Sequence, residues 1–119
     1  MDLVDALHIS AAGMRAQGVR LRVIAENLAN ANSLAATPDG EPYRRKVVSF
    51  RNALDRSDFE MRYQPSHPAA DANGYIRLPN VNTLIEMTDM REAQRSYEAN
   101  LKVIESSRTL LQRTIDILR

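Results

Sequence analysis

The sequence contains no cysteine and no tryptophan, which excludes a disulfide framework and a thiolate metal site and removes the largest core anchor. Aromatic residues make up only 5% of the chain, so its apolar surface must come from Ala, Leu, Ile, Val and Met. Those residues suit helix seams better than a broad compact core. An excess of one charge is also absent. Sixteen basic against 15 acidic side chains give a net charge of +1 with the signs interspersed, and this balance favours neither nucleic acid nor an anionic membrane as partner. No apolar run is long enough to span a bilayer, so direct membrane insertion is not expected. The opening Met1-Asp2-Leu3-Val4-Asp5 is acidic and lacks the basic region and long apolar core of a cleaved secretory signal.

Catalytic equipment is equally sparse. The two histidines are His8, inside a helical pattern, and His67, in a Pro-rich loop; they are too few for a histidine-rich metal site. Ser66, His67 and Asp71 are the residue types of a hydrolase triad but lack the nucleophile elbow and strand scaffold. Gly13, Gly18, Gly40 and Gly74 lie too far apart for a phosphate-binding fingerprint. Asp39-Gly40 lacks the alternating oxygen ligands of a calcium loop and reads as a turn. No catalytic, cofactor-binding or metal residue is assigned, and an enzyme is not expected.

What the sequence does carry is helical periodicity at both ends. From Thr83 to Arg119, Met90, Tyr97, Ile104, Leu111 and Leu118 recur one heptad apart, and Met87, Leu101 and Ile115 form a second row three residues before members of the first. No Gly or Pro interrupts this run. Thr83 followed by Glu86 reads as a capping box, with Asn80 and Asn82 as rival caps. Arg108 interrupts the stripe and either snorkels to solvent or pairs with an acidic neighbour. A helix over this stretch extends roughly 55 Å, more than a domain of this size covers, so something outside the subunit must pack on it.

A second helical pattern runs from Leu3 to about Asn30, with Leu7, Ala11, Met14, Gly18, Leu21, Ala25 and Leu28 at alternating spacings of four and three. Its small members, Ala11, Gly18 and Ala25, let another backbone approach closely. Asn27, Asn30 and Asn32 follow, and their position favours capping of the helix end over carbohydrate or ion binding. Thr37-Pro38-Asp39-Gly40-Glu41-Pro42 is a turn in which Pro presets one dihedral and Gly supplies a positive one. Arg44-Arg45-Lys46 reads as a solvated flank to the β-prone Val47-Val48-Ser49-Phe50, and Arg51 to Ser57 is uninformative. Phe59 to Tyr63 and Tyr75 to Leu78 alternate apolar and polar residues, as two strands of an antiparallel pair do, with the Asn73-Gly74 turn between them.

The expected fold is mainly α: two long N- and C-terminal helices packing as a coiled-coil-like pair, with a small β-hairpin and loop element between. Segments 1–32, 33–82 and 83–119 form one structural unit. Candidate subunit-interface residues are Leu7, Ala11, Met14, Gly18, Leu21, Ala25, Leu28, Asn27 and Asn30 at the first helix, and Met90, Tyr97, Leu101, Ile104, Leu111, Ile115 and Leu118 at the second.

Ala25-Glu26-Asn27-Leu28-Ala29-Asn30-Ala31-Asn32, followed by Pro38-Asp39-Gly40-Glu41-Pro42-Tyr43-Arg44, resembles the N-terminal motif of bacterial flagellar rod and hook axial proteins. The block from Tyr63-Gln64-Pro65-Ser66-His67-Pro68 to Pro79-Asn80-Val81, with Arg95-Ser96-Tyr97-Glu98-Ala99-Asn100, narrows the likeness to the proximal-rod branch. Members of that branch usually carry a longer segment between Phe50 and Phe59, so this chain looks shortened around Leu54 to Asp58. The resemblance implies a non-enzymatic, polymerising subunit of the basal-body rod, located in the periplasm. Implied partners are other rod subunits (FlgB, FlgF and FlgG-like), the rod-base protein FliE, copies of itself, and the flagellar type III export apparatus. A helical adaptor or export-regulating module offering one seam to one partner is the alternative in another class.

Overall fold

The computed structural model describes residues 2–48 and 53–119. Helix α1 spans Leu3–Ala29, strands β1 to β4 span Lys46–Val47, Ala53–Leu54, Glu60–Tyr63 and Tyr75–Leu78, and helix α2 spans Thr83–Leu118. The mainly helical fold expected from the two periodic ends is the one that forms, with the small strand region between the helices.

Both helices begin with side-chain caps. Asp2 Oδ1 accepts the Asp5 backbone N–H at 2.8 Å, and Asn82 Oδ1 accepts those of Leu84 and Ile85 at 3.1 and 3.4 Å. Each such cap contributes about 1 kcal/mol. Of the rival caps at the start of α2, Asn82 therefore does the work, and the Thr83–Glu86 capping box does not form because Glu86 is drawn into a buried ion pair. Helix α1 ends in successive turns from Leu28 to Ser33, and the Asn30 side chain donates to the Glu26 carbonyl at 2.8 Å, the capping role its position indicates. No non-glycine residue among those described adopts positive φ there or elsewhere.

The chain forms two compact units, one of α1 through Leu21 with the residues from Met90 onward, the other Arg22–Asp89. In the first, the helices pack antiparallel. A side chain on Gly13 would come within 2.8 Å of Asn100 Nδ2, and Arg20 Nη1 lies 3.6 Å from Glu92 Oε1. Ala93 is wholly buried, and Ser10 and Ser107 are 6% exposed. The inward row of α2 in this unit is thus Ala93, Asn100 and Ser107, seven residues apart, flanked by half-buried Met90, Tyr97, Ile104 and Leu111. The second row read from hydrophobicity, Met87, Leu101 and Ile115, is 48, 38 and 48% exposed in the single subunit. Close approach within the subunit also falls at Gly13 rather than Gly18, where an added Cβ meets nothing within 4 Å.

The second unit holds two antiparallel pairs. Glu60 to Tyr63 pair with Leu78 to Tyr75 as the anticipated antiparallel pair, and Ile76 and Leu78 turn their side chains inward. Gly74, at φ +85°, makes the turn before β4, and any Cβ there would meet the Tyr63 ring at 2.8 Å. Gly40 closes the Thr37 turn without a positive φ. Strand β2, in the stretch that carried no signal, pairs with β1 through Lys46–Leu54 and Val47–Ala53. Ser49 and Phe50 of the β-prone run lie outside the described residues.

These contacts give opposite expectations for the two helical glycines. Gly18→Ala should raise the urea midpoint of the isolated chain, worth about 0.5–1 kcal/mol, because helix propensity improves in open space. Gly13→Leu should lower it by about 1–3 kcal/mol through overpacking against Asn100. Urea unfolding followed by far-UV circular dichroism checks both, and equal effects at the two sites would contradict the placement.

Candidate assembly surface

Five of the residues singled out for subunit contact come together. Ala11, Met14 and Gly18 of α1 and Tyr97 and Ile104 of α2, with Arg15 at the edge, line a groove of about 420 Å³ in the helical unit. The small side chains at Ala11 and Gly18 keep it open. Leu7, Leu21 and Leu28 are also half-buried, whereas Ala25 is exposed. On α2, Met90 and Leu111 are half-buried and Leu118 is 80% exposed. Arg108 is exposed, as snorkelling requires.

Asn27 is different: it is 1% exposed and its amide is occupied inside the second unit. Its Nδ2 donates to the Lys46 carbonyl at 2.9 Å, while its Oδ1 accepts the Lys46 N–H at 2.9 Å and the Tyr43 hydroxyl at 2.7 Å. One side chain thereby reproduces both hydrogen bonds of a strand partner and holds the start of β1 on the end of α1. Asn30, half-buried, accepts the Ser33 hydroxyl at 3.0 Å and so ties the following turn.

The basic run Arg44-Arg45-Lys46 is not a solvated flank. Arg44 stacks over the Phe59 ring at 4.2 Å and donates to the Asp55 carbonyl at 2.8 Å. Arg45 Nε pairs with Glu86, which is fully buried, and Arg45 Nη1 lies 3.2 Å from Asp55 Oδ2. The Arg45 N–H donates to Asn80 Oδ1 at 2.7 Å, and Asn80 Nδ2 donates to the Asp55 and Ser57 carbonyls at 3.0 and 3.2 Å. Lys46 Nζ pairs with Glu26 Oε2 at 2.9 Å. Sequence reading missed this clasp because its members are spread from Glu26 to Glu86 and no local pattern links them.

The clasp biases its own ionisation. The Ser57 backbone and hydroxyl, then Arg45, hold the Asp55 carboxyl below its ordinary value. The Lys46 hydrogen bond and charge do the same for Glu26, and Glu26 in turn holds Lys46 above its ordinary value. Burial pulls Arg45 down, but the hydrogen bonds and charges of Glu86 and Asp55 outweigh it and leave the guanidinium raised. Among the described residues no cluster of His, Asp and Glu suits a metal ion, and no helix is long and apolar enough to cross a membrane. What the arrangement can do is present a rigid surface.

A helix pair, a clasped strand element and an apolar groove, with no metal cluster among the described residues, make up a subunit whose class the comparisons with known proteins give as a flagellar rod protein. The family model described as flagellar basal body rod FlgEFG protein C-terminal matches residues 72–117. Flagellar basal-body rod protein FlgC of Agrobacterium fabrum (strain C58) is 48% identical over 133 residues, covering 98% of this chain and 96% of that protein. Those of Aquifex aeolicus (strain VF5) and Salmonella typhimurium (strain LT2) are 41% and 35% identical over 98% of this chain and 97% and 98% of their own lengths. The chain belongs to the FlgC family of flagellar basal-body rod proteins. The alignment with the Agrobacterium protein runs over 133 positions, longer than the 119 residues here, so that relative carries internal residues this chain lacks.

Carboxylates held below their ordinary pKa stabilise the fold above that value and lose the contribution as pH falls through the folded-state value. The clasp should therefore hold at neutral pH and weaken as pH falls below the ordinary values of 3.8 for Asp55 and 4.5 for Glu26. Amide exchange at residues 43–48 measures this, and Asp55→Asn should flatten the acid dependence. Arg45→Ala, which strands buried Glu86, should cost about 3 kcal/mol in urea unfolding. Glu86→Gln should cost less, because it keeps an acceptor and leaves Arg45 its Asp55 partner.

Proposed function

We propose that the chain is a structural subunit of the proximal flagellar rod, located in the periplasm and adding to other rod proteins by packing its helices against theirs. The observation that carries this reading, beside family membership, is apolar surface in excess of what the subunit covers. Leu110, Ile115, Ile117 and Leu118 are 54, 48, 82 and 80% exposed at one end of α2. The candidate contact residues are the groove of Ala11, Met14, Gly18, Tyr97 and Ile104, the half-buried Leu7, Leu21, Leu28 and Met90, and the α2 end at Leu111, Ile115 and Leu118. Leu101 and Ala25 are exposed candidates, and Asn27 and Asn30 contribute by fixing the end of α1. The partners are FlgB, FlgF and FlgG-like rod subunits, the rod-base protein FliE, further copies of this chain, and the type III export apparatus that delivers it. No residue acts catalytically in this role; torque passes through interlocked side chains.

Leu111→Asp should abolish rod formation, since burying an unpaired carboxylate in a subunit contact costs more than the about 2–5 kcal/mol of a lost leucine. Glu105→Ala, on the exposed face, should assemble normally. Each variant is expressed in a strain lacking the native protein, and rods recovered in basal bodies are compared with secreted subunit. Rods built equally well by both would contradict the proposal, and a small saturating complex in sedimentation would favour an adaptor instead.

A further inference from the structure

The strand pair β3–β4 has one covered edge and one open edge. Tyr63 pairs with Tyr75 while the Gln64 N–H donates to the Gly74 carbonyl at 2.9 Å, a pattern that turns the backbone groups of Arg62 toward β4 and those of Met61 and Tyr63 away from it. On the far side of β4, Asp71 takes up the outward groups of Tyr75. The Tyr75 N–H donates to Asp71 Oδ1 at 3.0 Å, and its carbonyl accepts the Asp71 N–H at 2.9 Å. Nothing similar covers β3. The sheet stops there at two strands, all four β3 residues are exposed, and among the described residues the outward N–H and C=O groups of Met61 and Tyr63 have no hydrogen-bond partner. Such an edge is a template for a further strand.

The side chains of β3 specify which strand. Set antiparallel on a second β3 and centred on Met61, the strand places Glu60 opposite Arg62 and Arg62 opposite Glu60, and the outward groups of the two Met61 residues bond each other. Other registers fail. Centring on Glu60 sets Glu60 against its own copy, centring on Arg62 sets Arg62 against its own copy, and an in-register parallel pair does both. Because side chains alternate along a strand, the charged pairs share one face and Met61 and Tyr63 the other. On that second face Met61 meets Met61 of the second copy next to the Tyr63–Tyr75 contact, whose ring centroids are 5.3 Å apart. Met61, Tyr63 and Tyr75 are 51, 62 and 43% exposed in one copy, so the pairing covers apolar surface as well as backbone.

We propose that β3 pairs antiparallel, centred on Met61, with β3 of a second copy of this chain, joining two strand pairs into one four-stranded sheet. Both copies use the same surface, so the contact closes as a two-fold pair. It goes beyond the rod-subunit reading, because a rod grows head to tail and a closed pair cannot extend it. The pair belongs to the unassembled chain, covers its open edge, and parts before the chain joins an axis. Being made of like chains alone, it also differs from an adaptor's complex with another protein.

Sedimentation velocity of the purified chain should show a dimer that grows with concentration. Glu60→Arg and Arg62→Glu should each weaken it about tenfold by setting like charges opposite each other. Mixing those two variants sets opposite charges together again at both positions and should restore a heterodimer; both substitutions in one chain should restore the homodimer. Met61→Pro removes an N–H that faces away from β4, so the strand pair stays intact while the dimer is lost. A chain that remains single at millimolar concentration, a dimer indifferent to both charge reversals, or a mixture that fails to recover would overturn the pairing. Protection of the Met61 and Tyr63 amides from exchange in the rod alone would give the edge to a strand of another rod protein and overturn it too. Each of these results leaves the rod reading standing, since that reading is tested by incorporation into basal bodies.

Discussion

Helix α2 runs for 36 residues and α1 for 27. In an antiparallel pair with Gly13 against Asn100, the register brings Leu3 beside Leu110, so about two turns of α2 extend past the start of α1. Those turns hold Leu111, Ile115, Ile117 and Leu118, and the last two are the most exposed large apolar side chains described in the molecule. A helix end of this kind has no reason to persist in water, because short helices draw their stability from packing rather than propensity. The inequality of length is therefore the constraint from which the assembly role follows.

The interior of the pair points the same way. Its inward residues are Ser10 and Gly13 on one side and Ala93, Asn100 and Ser107 on the other, and Gln17 Oε1 is buried without a hydrogen-bond partner. Small and polar contacts bury little apolar surface, and an unsatisfied acceptor costs about 1–3 kcal/mol. The larger side chains, Met14, Tyr97, Ile104 and Leu111, flank this narrow seam and stay partly open. The second unit inverts that economy: Asn27, Arg45, Asn80 and Glu86 are tightly satisfied by one another and by backbone, so the strand element is fixed by directional bonds rather than by bulk.

The helices were legible because Met90, Tyr97, Ile104 and Leu111 repeat every seven residues without Gly or Pro, and the β3–β4 pair because Tyr63 and Tyr75 bracket an Asn-Gly turn within alternating strands. Hydrophobicity marked the large residues Met87, Leu101 and Ile115, which are exposed in the single subunit, and not the small inward positions Ala93 and Ser107. Of the α1 candidates, Ala11, Met14 and Gly18 line the groove, where small side chains leave space. The clasp was invisible because Arg45 meets Glu86 across 41 residues of sequence, and no local pattern encodes such a pairing. Strand β2, Ala53–Leu54, has no β-branched residue and is paired only because β1 lies beside it.

Amide hydrogen exchange along α2, in the monomer and in the rod, tests most directly whether the overhang exists for assembly. In the monomer, protection should extend through the stretch from Ala93 to Ser107, packed on α1, and fall to the level of an unfolded chain from Leu111 to Leu118. In rods isolated with the basal body, both stretches should be protected. Strong protection of Leu111 to Leu118 in the monomer, or none in the rod, would contradict the account.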